Sequence, residues 1–421
     1  MISGPNSTMI DEANYASQVL TGFLEHDLSP PSTYDNTVNI AGTFSQFSIV
    51  VYVNDTTSAS TATFQVNGTN GNQSVSVPAG TTGAFADTSN TDTISSGDTV
   101  RAYYTTGGAG TSFDVAGISS VFEPSSGNAR WVYTIWPFIG ANKTADMYAP
   151  IASDYDDASA IADANIVMPF GGTVRNLEFR IITNVGGAFD VDVVKNNVTA
   201  SPVLSITIPA STTGTFTDTG SGTFVTNDTL AYRFVHSGTD FDVDEVRAVE
   251  IENADNNAVV YEARDILTLL YAGGTAYMGL SGDLDDSTTE LDMQTRIGAT
   301  LTMHTYKVNL VANASATNGQ FAMYLRKNGT TTSLGVSFPT GTTGTFEDTT
   351  NEVAVVAGDL VNHIATGTPA PDTNIDVLWV QVLAEEEGVD APYSREFVTS
   401  LPTNKDSLAT AYTAQEIIDV A

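Results

Sequence analysis

Val77-Pro78-Ala79-Gly80-Thr81-Thr82-Gly83-Ala84-Phe85-Ala86-Asp87-Thr88 returns as Ile208-Pro209-Ala210-Ser211-Thr212-Thr213-Gly214-Thr215-Phe216-Thr217-Asp218-Thr219. It returns again as Phe338-Pro339-Thr340-Gly341-Thr342-Thr343-Gly344-Thr345-Phe346-Glu347-Asp348-Thr349. The prolines stand 131 and 130 residues apart (209 − 78 and 339 − 209). That period exceeds one solenoid or propeller unit and suits a whole domain, so the chain reads as three copies of one domain.

Working outward, each copy opens near Ala41–Phe44, Gly171–Val174 or Ile297–Thr300 and runs into a strand at Phe47–Val53, Leu177–Thr183 or Tyr306–Ala312. Alternating apolar residues then lead to Asn67-Gly68, Asn196-Asn197 or Asn328-Gly329. This is the chemistry of a tight hairpin that needs positive φ. After the anchor come Gly97-Asp98, Asn227-Asp228 and Gly358-Asp359, where a carboxylate caps free backbone N–H groups. Each copy closes on Phe113-Asp114-Val115, Phe241-Asp242-Val243 or Ile375-Asp376-Val377.

Short strands of Val, Ile, Thr, Phe and Tyr, with turns about every 8–12 residues, predict an all-β chain of three tandem antiparallel β-sandwiches. A jelly roll is the first expectation and an immunoglobulin-like sandwich the alternative. The expected divisions are an N-terminal arm over 1–36, repeats over 37–125, 126–255 and 256–388, and a tail over 389–421. Ile10–Leu24 is expected to form a short helix, and Leu408, Tyr412, Ile417 and Val420 a helical stripe within Asn404–Ala421.

Composition narrows function. The chain has 421 residues, 15 basic against 49 acidic side chains, a formal charge of −34 and no cysteine. Such acidity opposes nucleic acid and anionic membranes, which recruit positive charge. Without cysteine there is no disulfide framework, thiol nucleophile or thiolate metal site. No apolar run is long enough for a spanning helix, and no secretory signal pattern is evident, so membrane insertion is not expected.

Asp154, Asp156 and Asp157, matched by Asp283, Asp285 and Asp286, are the candidate calcium ligands, since calcium takes six to eight hard oxygens. They lack a full calcium-loop pattern, and a solvated acidic connector is the plainer reading. Asp87, Asp218 and Asp348, with Asp98, Asp228 and Asp359, read as turn caps rather than as acid–base pairs. No Walker loop, nucleophile elbow or H-E-x-x-H is present, and no catalytic residue or resident cofactor is expected. Trp131 and Trp136, in the densest aromatic run, are candidates for a subunit interface or a glycan platform.

Together, the Lys-Asn-Gly hairpin, the Pro-x-Gly-Thr-Thr-Gly-x-Phe-x-Asp-Thr anchor and the Gly-Asp strand resemble repeats in structural proteins of tailed phages. The resemblance covers roughly residues 37–385. It implies a non-enzymatic virion protein of tail-fibre, spike or capsid-decoration type, made in the host cytoplasm. Its implied partners are other virion proteins, further copies of itself (a homo-oligomer, as a trimer) and a host-surface glycan. A cell-surface adhesin or stalk, or a carbohydrate-binding protein, is the alternative.

Overall fold

β-branched and aromatic residues set at alternate positions make one face of each strand apolar, and two such faces must meet to escape water. The computed structural model describes residues 16–18, 36–38, 41–108, 113–125, 130–135, 138–139, 145–151, 160–184, 186–235, 243–253, 258–264, 269–270, 275–280, 282–283, 286–313, 320–368, 375–386 and 395–400. These are almost entirely β and form six sheets, which fall into three pairs along the chain.

The first pair contains β1 (Ala16–Gln18), β2 (Asn36–Val38), β3 (Gly42–Asn54), β4 (Ser60–Val66), β5 (Thr69–Val77), β6 (Gly83–Ala86), β7 (Thr91–Ile94), β8 (Asp98–Thr105) and β9 (Phe113–Pro124). The second contains β10 (Arg130–Ile135), β11 (Phe138–Ile139), β12 (Met147–Ala149), the single helical turn α1 (Ile161–Ala164), β13 (Ile166–Val167) and β14 (Gly172–Asn184). It continues with β15 (Phe189–Lys195), β16 (Leu204–Ile208), β17 (Gly214–Phe224), β18 (Thr229–Val235) and β19 (Val243–Asn253).

The third begins with β20 (Ala258–Arg264), β21 (Leu269–Leu270), β22 (Thr275–Met278), β23 (Gly282–Asp283), β24 (Asp286–Ser287), a 3-10 turn (Glu290–Met293) and β25 (Thr295–Arg296). It continues with β26 (Leu301–Asn313), β27 (Gln320–Lys327), β28 (Thr330–Phe338), β29 (Gly344–Asp348), β30 (Val353–Val355), β31 (Leu360–Thr368) and β32 (Ile375–Glu386). A last strand, β33 (Arg395–Ser400), follows.

In the second pair the sheets run β10-β19-β14-β17 and β12-β18-β15-β16; in the third they run β20-β32-β26-β29 and β22-β31-β27-β28. Counting each unit's eight principal strands in chain order gives 1-8-3-6 and 2-7-4-5, the strand order of a jelly roll. It is not the ABED and CFG arrangement of an immunoglobulin-like sandwich.

The first pair has the same order, β33-β9-β3-β6 against β1-β8-β4-β5, but its first strand comes from the far end of the chain. β33 pairs antiparallel with β9, from Arg395 opposite Phe122 to Ser400 opposite Gly117. The first unit thus draws strands from both segments that the sequence sets aside as arm and tail. Ala16–Gln18 is a strand paired with β8, where the sequence expects part of a short helix. Sheet pairing there outweighs local helical periodicity. The helical stripe within 404–421 lies outside the described residues.

The sheets of each pair meet through buried aromatics. Phe44 and Phe47 of β3 pack against Phe64 of β4, with ring centroids 4.9 and 6.0 Å apart. Phe179 of β14 meets Phe189 and Phe234 at 6.2 and 6.1 Å. Tyr306 of β26 meets His363 of β31 at 5.4 Å. The first unit encloses its own apolar cluster, whereas one continuous buried cluster runs through the second and third units.

Each long third strand carries the same irregularity. Gln46, Asn176 and Thr305 have φ of 57°, 52° and 51°, and the strand register shifts there. This is a bulge that bends the strand around its core. In two units a buried side chain braces the bulge, by different means. In the first unit Phe47 N donates to Gln73 Oε1 at 3.1 Å, and Gln73 Nε2 donates to Phe44 O at 3.2 Å. In the second, Asn176 Nδ2 donates to the buried Glu250 Oε2 at 2.8 Å.

Candidate functional site

The repeated polar residues fall on turns, and their geometry is nearly the same in each unit. After the anchor proline the chain turns through Gly80, Ser211 or Gly341 at φ of 64°, 51° and 69°. It then passes Gly83, Gly214 or Gly344 at φ of 119°, 122° and 115°, a region that only glycine enters without strain. Thr81, Thr212 and Thr342 donate their hydroxyls back to the proline carbonyls at 2.7, 2.6 and 2.6 Å. In the first and third units Asn54 and Asn313 clamp the turn, each Nδ2 donating to two of its carbonyls.

The anchor aspartates finish this turn. Asp87 Oδ1 accepts from the N–H groups of Ser89 and Asn90, and Oδ2 from Ser74 N and Asn90 Nδ2. Asp348 repeats the pattern with Thr350, Asn351 and Gly335. In the second unit Asp218 accepts from Ser205 N and Gly220 N, each at 2.8 Å. Burial pushes the Asp348 carboxyl up, but the bonds from Asn351, Thr350 and Gly335 outweigh it and hold it at about 2. The same balance lowers Asp87 further.

A second clamp joins the hairpin to the strand after it. Asn67, Asn196 and Asn328 donate to Asp98, Asp228 and Asp359 at 2.7, 2.7 and 2.6 Å. The other carboxylate oxygen accepts from Ser95, Val225 or Val356 N–H. Asn67, Asn196 and Asn328 themselves have φ of 49°, 52° and 50°, the hairpin conformation their residue type favours.

Asp114 and His363 are among the buried titratable groups that stand outside this scheme. Asp114, 6% exposed at the head of β9, has a buried Oδ1 with no hydrogen-bond partner. Burial, with the Asp55 charge nearby, raises its carboxyl to about 6. His363 is fully buried against Tyr306, whose hydroxyl lies 3.2 Å from Nδ1. Burial lowers the imidazole to about 4, against a smaller opposing effect of the Leu280 backbone.

The units also touch one another at corresponding places. Ser119 Oγ of β9 donates to the Arg296 carbonyl of β25 at 2.7 Å. Gln381 Nε2 of β32 donates to the Val167 carbonyl of β13 at 2.9 Å. Ser119 and Gln381 are equivalent, since they pair with Ser48 and Lys307, each two residues past the bulge. Sequence reading did not single out these seam residues; Gln381 is polar between Val380 and Val382, but Ser119 stands beside a second serine, Ser120, and the two share no common local signal.

Of the candidate calcium ligands, Asp154, Asp156, Asp157 and Asp285 lie outside the described residues. Asp283 pairs with Arg264 at the edge of one sheet, and Asp286 with Met278 in the facing sheet. Among the described residues no group of three or more His, Asp or Glu is placed to hold a metal ion. Trp131 lies on β10 opposite Ile251 of β19, and Trp136 is outside the described residues. No described helix is long and apolar enough to cross a membrane. No protein-family model matches the chain, and no curated protein matches its sequence.

Proposed function

We propose that this chain is a non-enzymatic structural protein of a tailed-phage particle, an appendage of tail-fibre, spike or capsid-decoration type. The observation that carries the reading is the recurrence of one jelly-roll unit whose repeated carboxylates are spent on holding turns. An acid–base pair needs a carboxyl able to exchange a proton near the working pH. Asp348, held at about 2 by backbone and amide donors, is suited to fixing a turn and not to that exchange.

Jelly rolls recur in viral capsid proteins and in lectins, and fold alone assigns no function. The further support is mechanical. The strand after the third unit pairs with the first unit, and one buried cluster runs through the second and third, which suits a load-bearing appendage. The proposed partners are other virion proteins and, at the exposed loops, a host-surface glycan. The threefold arrangement implied by the resemblance is proposed within one polypeptide, as three units, rather than from three separate chains.

Immunogold labelling and quantitative mass spectrometry of purified particles test the reading. The expected result is labelling on the particle at a fixed copy number. Protein found only in infected cells, and never on particles, overturns it.

A further inference from the structure

The edge of β9 is flanked by a strand as its two counterparts are, but that neighbour comes from the far end of the chain. β19 is flanked by β10, which follows the first unit after five residues (125–129). β32 is flanked by β20, which follows the second unit after four residues (254–257). β9 is flanked by β33, which follows the third unit after eight residues (387–394). Each unit therefore passes the strand after its last one to the next unit, and the third passes it to the first.

The registers agree. With Ser119 equivalent to Gln381, Phe397 opposite Ser120 takes the place of Tyr261 opposite Val382 and Tyr133 opposite Val249. An aromatic residue stands at all three positions. Tyr261 is fully buried.

The seams follow the same rule. β9 is flanked by β33, the strand that follows the third unit in the chain, and bonds to Arg296 of that third unit. β32 is flanked by β20, the strand that follows the second unit in the chain, and bonds to Val167 of that second unit.

We propose that the edge of β9 is a strand-binding site whose ligand is the extended segment Arg395–Ser400 of the same chain, and that filling it closes the three jelly rolls into a ring. An empty β9 edge would present a row of unpaired N–H and C=O groups, a template for another strand. The segment is thus a latch. Seated in its own chain it leaves the molecule monomeric, and unseated it exposes a site that accepts the same sequence from outside. This inference stands independently of any place on a particle.

The test uses the full chain and a Val398→Pro/Thr399→Pro variant. Alternate N–H groups of an edge strand face its neighbour, so replacing two successive residues removes a ladder donor whichever way β33 lies. Light scattering should give the mass of one chain for the native protein at all concentrations. Hydrogen exchange should find the β9 amides that face β33 protected in the native protein and at least tenfold faster in the variant.

A synthetic peptide spanning Arg395–Ser400 should bind the variant, restore that protection and leave the native protein untouched. Equal exchange in the two proteins, or no peptide uptake by a folded variant, overturns the proposal. A native oligomer that loses β9 protection on dilution overturns it too, by placing the strand in a second copy. Should the variant fail to fold, the native protein alone decides: unprotected β9 amides in a monomer refute the latch.

Discussion

Asp114 shows how a single residue can work against the fold that holds it. Its carboxyl is raised to about 6 by burial and by Asp55, so the folded chain binds a proton there more tightly than the unfolded chain does. Its contribution to stability is complete below the ordinary aspartate range near 4 and is lost as pH rises through about 6. At pH 7 the group is a charged, unpartnered carboxylate oxygen under the surface. Asp114→Asn removes that charge at nearly constant shape. The variant should gain about 1 kcal/mol at pH 7.5, where solvent still screens part of the charge, and nothing at pH 4. Urea unfolding at the two pH values reads this, and an equal change at both contradicts it. His363 acts in the opposite direction. Its lowered pKa means that its support is present above about 6.5 and is lost as pH falls toward 4.

Elements are where the sequence is most and least legible. The hairpins and anchor turns could be read from it because their causes are local: Asn at positive φ, Gly after Thr-Thr, and Asp two or three residues from the N–H groups it caps. The turn-capping role of Asp87 and Asp348 was accessible for the same reason. Strand exchange was not, because β33 and its partner β9 are paired across 273 to 283 residues of chain (395 − 122 and 400 − 117) and share no local signal. The aromatic series Tyr133, Tyr261 and Phe397 is a trace of it that only the known register makes readable. Asp348→Asn tests the turn as an element. The new amide must point its donors at N–H groups that now meet a carboxylate, leaving buried donors unsatisfied. The cost should be about 1–3 kcal/mol, by thermal or urea unfolding. A loss under ~0.5 kcal/mol would mean that water replaces the carboxylate easily.

For the whole molecule, charge is the term the fold has to tolerate. Fifteen basic groups can neutralise at most fifteen of forty-nine acidic ones, which leaves a formal charge of −34 on three closely joined units. The clamps Asn67–Asp98, Asn196–Asp228 and Asn328–Asp359 use neutral amides to hold carboxylates, so they fix turns without lowering the net charge. Self-repulsion therefore opposes closing the units against one another, and salt should relieve it. Raising sodium chloride from about 20 mM to about 0.5 M shortens the screening length from roughly 20 Å to roughly 4 Å and should raise the melting temperature by several degrees. Calcium at matched ionic strength separates screening from binding. A gain equal to that of sodium assigns the effect to screening alone, whereas a larger gain that a chelator abolishes shows specific calcium binding, for which the aspartates near 154 and 283 are the candidates. A melting temperature that is flat or falls with sodium chloride would mean that repulsion between units is not what limits stability.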